Sequence, residues 1–169
     1  AGLWRDLPAG WGVQRKVEAI IRDEMDAAGA QEVLMPLIQP IELWRQTGRD
    51  GIGELFRLED RKGSPLVLAM THEEAMTFHA SREVRSYRDL PFTLYQFQTK
   101  GRDEPRPRAG VLRTREFIMK DAYSFDRDEE GLARSYEVQA EAYKRIFDRA
   151  GIEWYMVESD VGMMGGSGA

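Results

Sequence analysis

Residues 101–125 read GRDEPRPRAGVLRTREFIMKDAYSF, and this arginine-rich stretch decides how the chain around it is interpreted. It follows FTLYQFQTK (residues 92–100), which alternates and is rich in aromatic and β-branched residues, as expected of a strand. Residues 111–125 supply a return strand after a polar loop that contains prolines. The sequence therefore predicts a long β-hairpin with an unusually charged connection, and long connections of this kind are usually functional.

The charged side chains of this hairpin form a pattern that suits a nucleotide. Because side chains on a strand point alternately to its two faces, two sets would each share a face: Lys100, Arg102 and Glu104, and Arg113, Arg115 and Phe117. Guanidinium groups hold phosphate oxygens through paired hydrogen bonds, and an aromatic ring offers a stacking surface for a base. Spacing alone also leaves open a second interpretation, a solvated hairpin held by salt bridges.

Composition narrows the function classes. The 169 residues suit about one globular domain, and a net charge of −5 argues against a domain that mainly grips nucleic acid. The chain has no cysteine and only two histidines, His72 and His79, so we expect no disulfide, no thiolate metal site and no histidine-based metal site. Since no long apolar run or signal-like start is present, we expect a cytoplasmic protein without a membrane span.

The other segments predict an α+β fold, with an antiparallel sheet flanked by helices. The expected elements are a helix over 13–28, a strand at QEVLMPLIQP (31–40) interrupted by Pro36, a hairpin over 53–70, a helix starting at Thr71, a helix over 126–151 and a last strand at EWYMVES (153–159). A Thr-x-x-Glu capping box supports the helix start. The last helix carries its large apolar residues on one stripe and stops at Gly151.

Four segments resemble class II aminoacyl-tRNA synthetases, in the form found in bacterial-type prolyl-tRNA synthetases. QTKGRDEPRPRAGVLRTREFIMKDAYSF (about 98–125) resembles motif 2 of that family, and the helix and strand of about 13–40 resemble motif 1. THEEAM matches the Thr-x-Glu element (71–73), and GGSGA at the end resembles a Gly-Gly-Ser element. The resemblance extends over essentially the whole chain in the family's order, so it implies part of the class II catalytic domain.

The resemblance implies a role for each matching residue. Arg102 would be the catalytic residue, contacting both the ATP α-phosphate and the carboxylate of proline, while Glu104 holds the adenine side. Arg113, Arg115 and Phe117 would complete the ATP site, and the loop arginines Arg106 and Arg108 would reach outer phosphates or the tRNA acceptor end. Thr71 and Glu73 would bind the secondary amine of proline. Their alternative roles are purely local: Thr71 as an N-cap and Glu73 as a carboxylate that favours a helix start.

The implied reaction is ATP-dependent activation of L-proline to prolyl-adenylate, with Mg²⁺ on the phosphates, and transfer to tRNA(Pro) by a homodimer formed through motif 1. The family's motif 3, its editing insertion and its anticodon-binding domain would lie beyond residue 169, so we expect a fragment that is weakly active or inactive alone. Gly101 and the pair Ala69-Met70 depart from the family pattern. The alternatives are a non-catalytic dimerisation or tRNA-binding module, and a class II ligase for another amino acid.

Overall fold

The computed structural model describes residues 1–157 and 159 of the chain. The described part contains these helices and strands, in chain order: α1 (Pro8–Ala27), β1 (Gln31–Glu32), β2 (Ile38–Pro40), α2 (Ile41–Gln46), β3 (Arg57–Glu59), β4 (Pro65–Leu68), α3 (Glu73–Glu83), β5 (Phe92–Gly101), β6 (Glu116–Phe125) and α4 (Glu129–Ala150). A short 3₁₀ turn, Tyr87–Asp89, precedes β5. The predicted α+β class is confirmed.

The main sheet is built on the predicted hairpin. Strands β5 and β6 pair antiparallel along ten residues each, and β1 adds a short parallel strand on the other edge of β5. The register places Lys100 opposite Phe117, Gln96 opposite Asp121 and Leu94 opposite Tyr123. These side chains share one face of the sheet because every second residue points the same way. Polar side chains on this face are buried: Gln96 and Lys100 are both 0% exposed.

Helices cover the opposite face of the sheet. Met25 of α1, Ala30 and Tyr95 form a buried cluster there, and the guanidinium of Arg22 lies 4.7 Å from the centroid of the Phe97 ring. Ion pairs link helices α1 and α4. Glu24 of α1 accepts hydrogen bonds from Arg145 and Arg149 of α4 at 2.6 and 2.8 Å. Helices α1 and α4 thus cover part of this side of the sheet, and the buried polar side chains lie on the other side.

A second, smaller sheet closes one end of that polar side. Strands β2, β4 and β3 pair antiparallel in that order, and they pack with α2 around a core of Ile41, Trp44, Leu55, Val67 and Met70. The end of β5 reaches this sheet through Gly101, whose backbone nitrogen donates to the carbonyl oxygen of Ala69 at 3.0 Å. A Cβ at position 101 would lie 3.0 Å from the Cβ of Leu68, so the close approach needs a glycine.

Several predicted boundaries were wrong. QEVLMPLIQP forms two short strands in two different sheets because Pro36 interrupts the ladder, and Gln96 and Gln98 bind the backbone of Met35 instead. Helix α3 begins at Glu73 with His72 as its cap, so Thr71 is not the first cap residue. The return strand begins at Glu116 rather than at residue 111.

The C-terminal predictions had mixed outcomes. Helix α4 ends as predicted at Gly151, which has a left-handed backbone with φ of 68°. Its apolar stripe is not sealed, since Leu132 and Tyr136 are more than half exposed. Residues 153–157, the described part of the predicted last strand together with Ser159, form no strand. GGSGA lies outside the described residues.

In the part of the chain that the structure covers, no helix is long and apolar enough to cross a membrane.

Candidate functional site

The candidate site lies where the end of β5, the start of β6 and the segment before α3 meet. Arg102 directly follows β5, and its backbone nitrogen donates to the carbonyl oxygen of Arg115 at 2.8 Å, which extends the ladder by one step. Its guanidinium carbon lies 5.1 Å from the centroid of the Phe117 ring, and its Nε donates to the carbonyl oxygen of Met70 at 3.2 Å. Register thus brings together the predicted phosphate-binding arginine and the predicted stacking ring.

Opposite charge surrounds this guanidinium. Burial lowers the pKa of Arg102, while the carboxylates of Glu73 and Glu104 raise it. An arginine keeps its charge under these conditions because its pKa starts so far above neutrality. A half-buried cation with a fixed Nε contact leaves its terminal nitrogens as donors for an anion.

Thr71 and Glu73 are in direct contact next to Met70, whose carbonyl oxygen binds Nε of Arg102. The Thr71 hydroxyl donates to Oε2 of Glu73 at 2.5 Å, and the same oxygen lies 3.4 Å from Nη1 of Arg49. Because α3 has no side-chain cap and begins one residue later than Thr71 would require, the interpretation of Thr71 as only an N-cap is wrong. The pair presents a carboxylate and a hydroxyl side by side, a combination that binds a protonated amine well.

The loop between β5 and β6 is held by ion pairs and hydrogen bonds among its own residues. Glu104 is buried, its Oε2 lies 2.7 Å from Nε of Arg113, and it accepts from the backbone nitrogen of Arg106 at 3.2 Å. The hydrogen bond from Arg113 lowers the pKa of Glu104. Arg115 donates to the carbonyl oxygen of Glu104 at 3.1 Å. Arg106 and Arg108 are exposed, and Arg108 bridges to Arg113 through the backbone.

A buried network next to this site was not predicted from the sequence. Lys100 and His72 are both 0% exposed. The Lys100 ammonium lies 2.9 Å from Oδ1 of Asp121 and donates to Nδ1 of His72 at 2.5 Å. Nδ1 of His72 must therefore be the acceptor, which leaves Nε2–H to donate to the carbonyl oxygen of Pro36 at 3.1 Å. Burial, followed by the charge of Lys100, lowers the pKa of His72.

The network continues to Tyr123, whose hydroxyl donates to Oδ2 of Asp121 at 2.6 Å and accepts from the backbone nitrogen of His72 at 3.0 Å. Gln96 also donates to Oδ2 of Asp121, at 3.0 Å. A signal for this cluster exists in the sequence: polar residues two or four apart on both predicted strands share one face. The sequence did not show which residues of the two strands lie opposite each other.

Taken together, the residues of the candidate site offer three kinds of contact. Arg102 supplies a cation for a carboxylate or phosphate, Glu73 and Thr71 supply acceptors for an ammonium group, and Phe117 supplies a flat face. The buried ion pair of Lys100 and Asp121 supports these groups from inside the protein. Such a site can bind a zwitterion beside an anionic group that carries an aromatic ring.

Comparison with known proteins agrees with this geometry. A family described as the class II core domain of tRNA synthetases (G, H, P, S and T) matches residues 56–168. A proline–tRNA ligase of Thermodesulfovibrio yellowstonii is 58% identical over 98% of this chain and 29% of that protein. One from Persephonella marina is 58% identical over 98% of this chain and 30% of its own length. The chain thus spans under a third of the length of these curated relatives.

Two solved structures share the fold. Prolyl-tRNA synthetase of Giardia lamblia in complex with prolyl-adenylate superimposes with a TM-score of 0.79 at 23% identity, over 85% of this chain and 30% of that one. Prolyl-tRNA synthetase of Cryptosporidium parvum, complexed with L-proline and AMP, gives a TM-score of 0.79 at 16% identity, over 88% of this chain and 30% of that one. At these identities the likeness concerns the fold.

Proposed function

Since this chain belongs to the class II core-domain family of the tRNA synthetases, we propose that it forms the first part of the catalytic domain of a proline–tRNA ligase. The activity is ATP-dependent formation of prolyl-adenylate, followed by transfer of the prolyl group to tRNA(Pro) in the cytoplasm. The observation that carries the proposal is that Arg102 lies over the Phe117 ring and binds the carbonyl oxygen of Met70, next to the contacting pair Thr71 and Glu73. High identity to proline–tRNA ligases supports proline as the amino acid.

Arg102 is the central residue of the proposed activation step. Its guanidinium binds the proline carboxylate and the α-phosphate together, so that the carboxylate oxygen faces the phosphorus. That oxygen attacks, pyrophosphate leaves, and negative charge that grows on the phosphoryl oxygens is met by a cation already in place. Phe117 stacks on the adenine in this proposal, and the support is that the ring lies close to the proposed phosphate-binding group, with the Arg102 guanidinium carbon 5.1 Å from its centroid.

The remaining charged residues bind the two ends of the nucleotide. Glu104 holds the adenine side, with Arg113 and Arg115 beside it, and the exposed Arg106 and Arg108 reach outer phosphates or the acceptor end of tRNA.

The described residues offer no metal site of their own: no group of three or more acidic, histidine or cysteine side chains among them could hold a metal ion. We therefore treat Mg²⁺ as part of the substrate, bound to the ATP phosphates, and none of the roles given to side chains depends on it.

Homodimer formation through residues 13–40 completes the proposal. Large apolar side chains on this segment face solvent in the single chain, with Val13 62% and Leu34 70% exposed. Burying them against a second copy would remove apolar surface from water, which is the main driving force of stable association.

The decisive experiment is amino-acid-dependent exchange of pyrophosphate into ATP, performed with the full-length protein that contains this chain. Glycine, histidine, proline, serine and threonine are supplied separately, since the family includes ligases for all five. We expect exchange with proline and charging of tRNA(Pro). Exchange with another amino acid would identify a different class II ligase, and no exchange with any of them would favour the non-catalytic module.

A further inference from the structure

His72 stands in the sequence between Thr71 and Glu73, the two residues proposed to bind the substrate amine, but its own side chain is 0% exposed. Its ring is bonded through both nitrogens: Nδ1 accepts from the Lys100 ammonium at 2.5 Å, and Nε2–H donates to the carbonyl oxygen of Pro36 at 3.1 Å. Lys100 belongs to β5, and Pro36 lies between β1 and β2. The ring therefore cannot turn without breaking a buried hydrogen bond, which is costly inside a protein.

The backbone of His72 is fixed as well. Its nitrogen donates to the Tyr123 hydroxyl at 3.0 Å, and its carbonyl oxygen accepts from the nitrogen of Met76 at 2.9 Å, in the first turn of α3. His72 directly precedes this helix, which begins at Glu73 without a side-chain cap. The contacts of His72 thus anchor the start of α3, where a capping side chain would otherwise be expected.

The buried ion pair gives this anchor its direction. The Lys100 ammonium lies 2.9 Å from Oδ1 of Asp121 and is a donor only, so it bonds to His72 through an unprotonated Nδ1. Burial and the charge of Lys100 lower the pKa of His72, which keeps the ring neutral. The ring proton is then on Nε2, where it bonds to Pro36. Apolar side chains could fill the same space, but they could not fix the orientation of the ring.

A fixed His72 ring also constrains the side chains on either side of it. Thr71, His72 and Glu73 are consecutive, so the backbone conformation that points the imidazole inward determines where the hydroxyl and the carboxylate point. These two groups are in contact, with 2.5 Å between the Thr71 hydroxyl and Oε2 of Glu73. The Glu73 side chain is 33% exposed, so a ligand can reach the carboxylate although it cannot reach His72.

We propose that His72 is a positioning residue for the amino-acid substrate. Its ring, held between Lys100 and the Pro36 carbonyl, keeps the groups on either side of it in the arrangement that binds the substrate ammonium. The inference rests on the proposed activation of proline and deepens it. Neither His72 nor Lys100 contacts the substrate, and no proton is transferred. Thr71 and Glu73 make the contacts, and the buried network lowers the cost of binding by holding them ready for the substrate.

His72→Ala in the full-length protein tests the proposal. The segment before α3 loses its anchor, so we expect the KM for proline in pyrophosphate exchange to rise about tenfold, while the KM for ATP stays within about twofold of its normal value. His79→Ala is the matched control, because it removes the only other histidine of the chain, an exposed residue of α3. It should change neither KM.

Two comparisons separate positioning from a general loss of structure. Equal rises in the KM values for proline and ATP would overturn the proposal, because the anchor lies beside the amine-binding pair. In a Glu73→Gln background the carboxylate that His72 positions is already gone, so His72→Ala should raise the KM for proline by clearly less than in the unmodified background. The same rise in both backgrounds, or an unchanged KM in the single variant, overturns the proposal.

His72→Asn replaces His72→Ala if the alanine variant does not fold. Its shorter side chain can still accept from Lys100 but loses the bond to Pro36, so the KM for proline should again rise while the KM for ATP does not. An unchanged KM for proline in this variant overturns the proposal.

The outcome for the unmodified protein separates this inference from the proposed function. Absence of proline-dependent exchange in that protein refutes both. Normal exchange in the unmodified protein together with an unchanged KM in His72→Ala refutes only the role of His72.

Discussion

The backbone nitrogen of Gly101 donates to the carbonyl oxygen of Ala69 at 3.0 Å, which joins the end of β5 to the residue that follows β4. The next residue on each side is also in contact, because Nε of Arg102 donates to the carbonyl oxygen of Met70 at 3.2 Å. Both contacts lie at the junction of the two sheets, where they fix the backbone around Arg102, the proposed catalytic arginine.

Gly101→Ala should destabilise the protein. The new Cβ would lie 3.0 Å from the Cβ of Leu68, which is attached to backbone and cannot turn away, so strands must shift. Overpacking of this kind costs about 1–3 kcal/mol. Thermal unfolding of the full-length protein measures it, with Gly53→Ala as control, because no atom lies within 4 Å of a Cβ there. Equal melting temperatures for the two variants would contradict the tight junction.

Glu73→Gln should mainly raise the KM for proline. A carboxylate that binds the substrate ammonium contributes in the ground state and in the transition state alike, so its loss lowers affinity more than turnover. We expect about a tenfold or larger increase, typical of losing a charged hydrogen bond. Exchange kinetics at varied proline measure it. Glu83→Gln, at the exposed far end of α3, is the control. An unchanged KM would leave Glu73 with only its helix-start role.

Arg102→Lys should lower kcat for adenylate formation by about 100-fold, with a smaller change in the KM for proline. Lysine keeps the positive charge but loses the planar fork that can hold two oxygens, and stabilisation of charge at a transition state depends on that placement. The measurement is exchange with proline and ATP varied separately, and Arg61→Lys in the exposed turn between β3 and β4 is the control. Normal kcat would exclude the proposed phosphate role.

Glu24→Gln should weaken the packing of α1 on α4 in a pH-dependent manner. Hydrogen bonds from Arg145 and then Arg149 lower the pKa of Glu24 below its ordinary value of 4.5. A carboxyl with a lowered folded-state pKa stabilises the fold above its unfolded pKa, and this contribution is lost as the pH falls through the folded pKa. The melting temperature of the variant should thus fall below that of the unmodified protein at pH 7, and the gap should narrow below about pH 4.5.

The control for this stability measurement is Glu137→Gln, which removes an exposed carboxylate from α4. It should change the melting temperature little at any pH. If the difference in melting temperature between Glu24→Gln and the unmodified protein stays constant from pH 7 to pH 4, the loss of stability comes from packing rather than from charge.

Leu34→Asp should shift the full-length protein from dimer towards monomer. Leu34 is 70% exposed in the single chain, so the substitution leaves the monomer fold intact while it places a charge in the proposed interface. Light scattering at micromolar concentration measures the mass. Leu112→Asp, at the exposed loop tip between β5 and β6, is the control and should remain dimeric. Full activity in a protein that is monomeric without substitution would refute the interface.

Local pattern was enough to predict the elements that depend on neighbouring residues. Strand β5 was recognised from alternating aromatic and β-branched residues, the pair β3 and β4 from the hairpin predicted over 53–70, and the end of α4 from Gly151. The arginine-rich loop was recognised from composition alone, and the motifs led to Arg102, Phe117, Thr71 and Glu73. These features are encoded within a few residues, so tertiary packing did not need to be known.

The long-range relationships were decided only by the tertiary structure. His72, Lys100 and Asp121 are far apart in the chain, and each alone is an ordinary charged or polar residue of a helix or strand. The register of β5 with β6 and the approach of the α3 start place them in contact. The apolar stripe of α4 also depended on the tertiary structure. The spacing of its residues predicts that they share one face of the helix, but not which segment packs against that face. Burial and charge pairing depend on which segments meet in space, and periodicity carries no information about that.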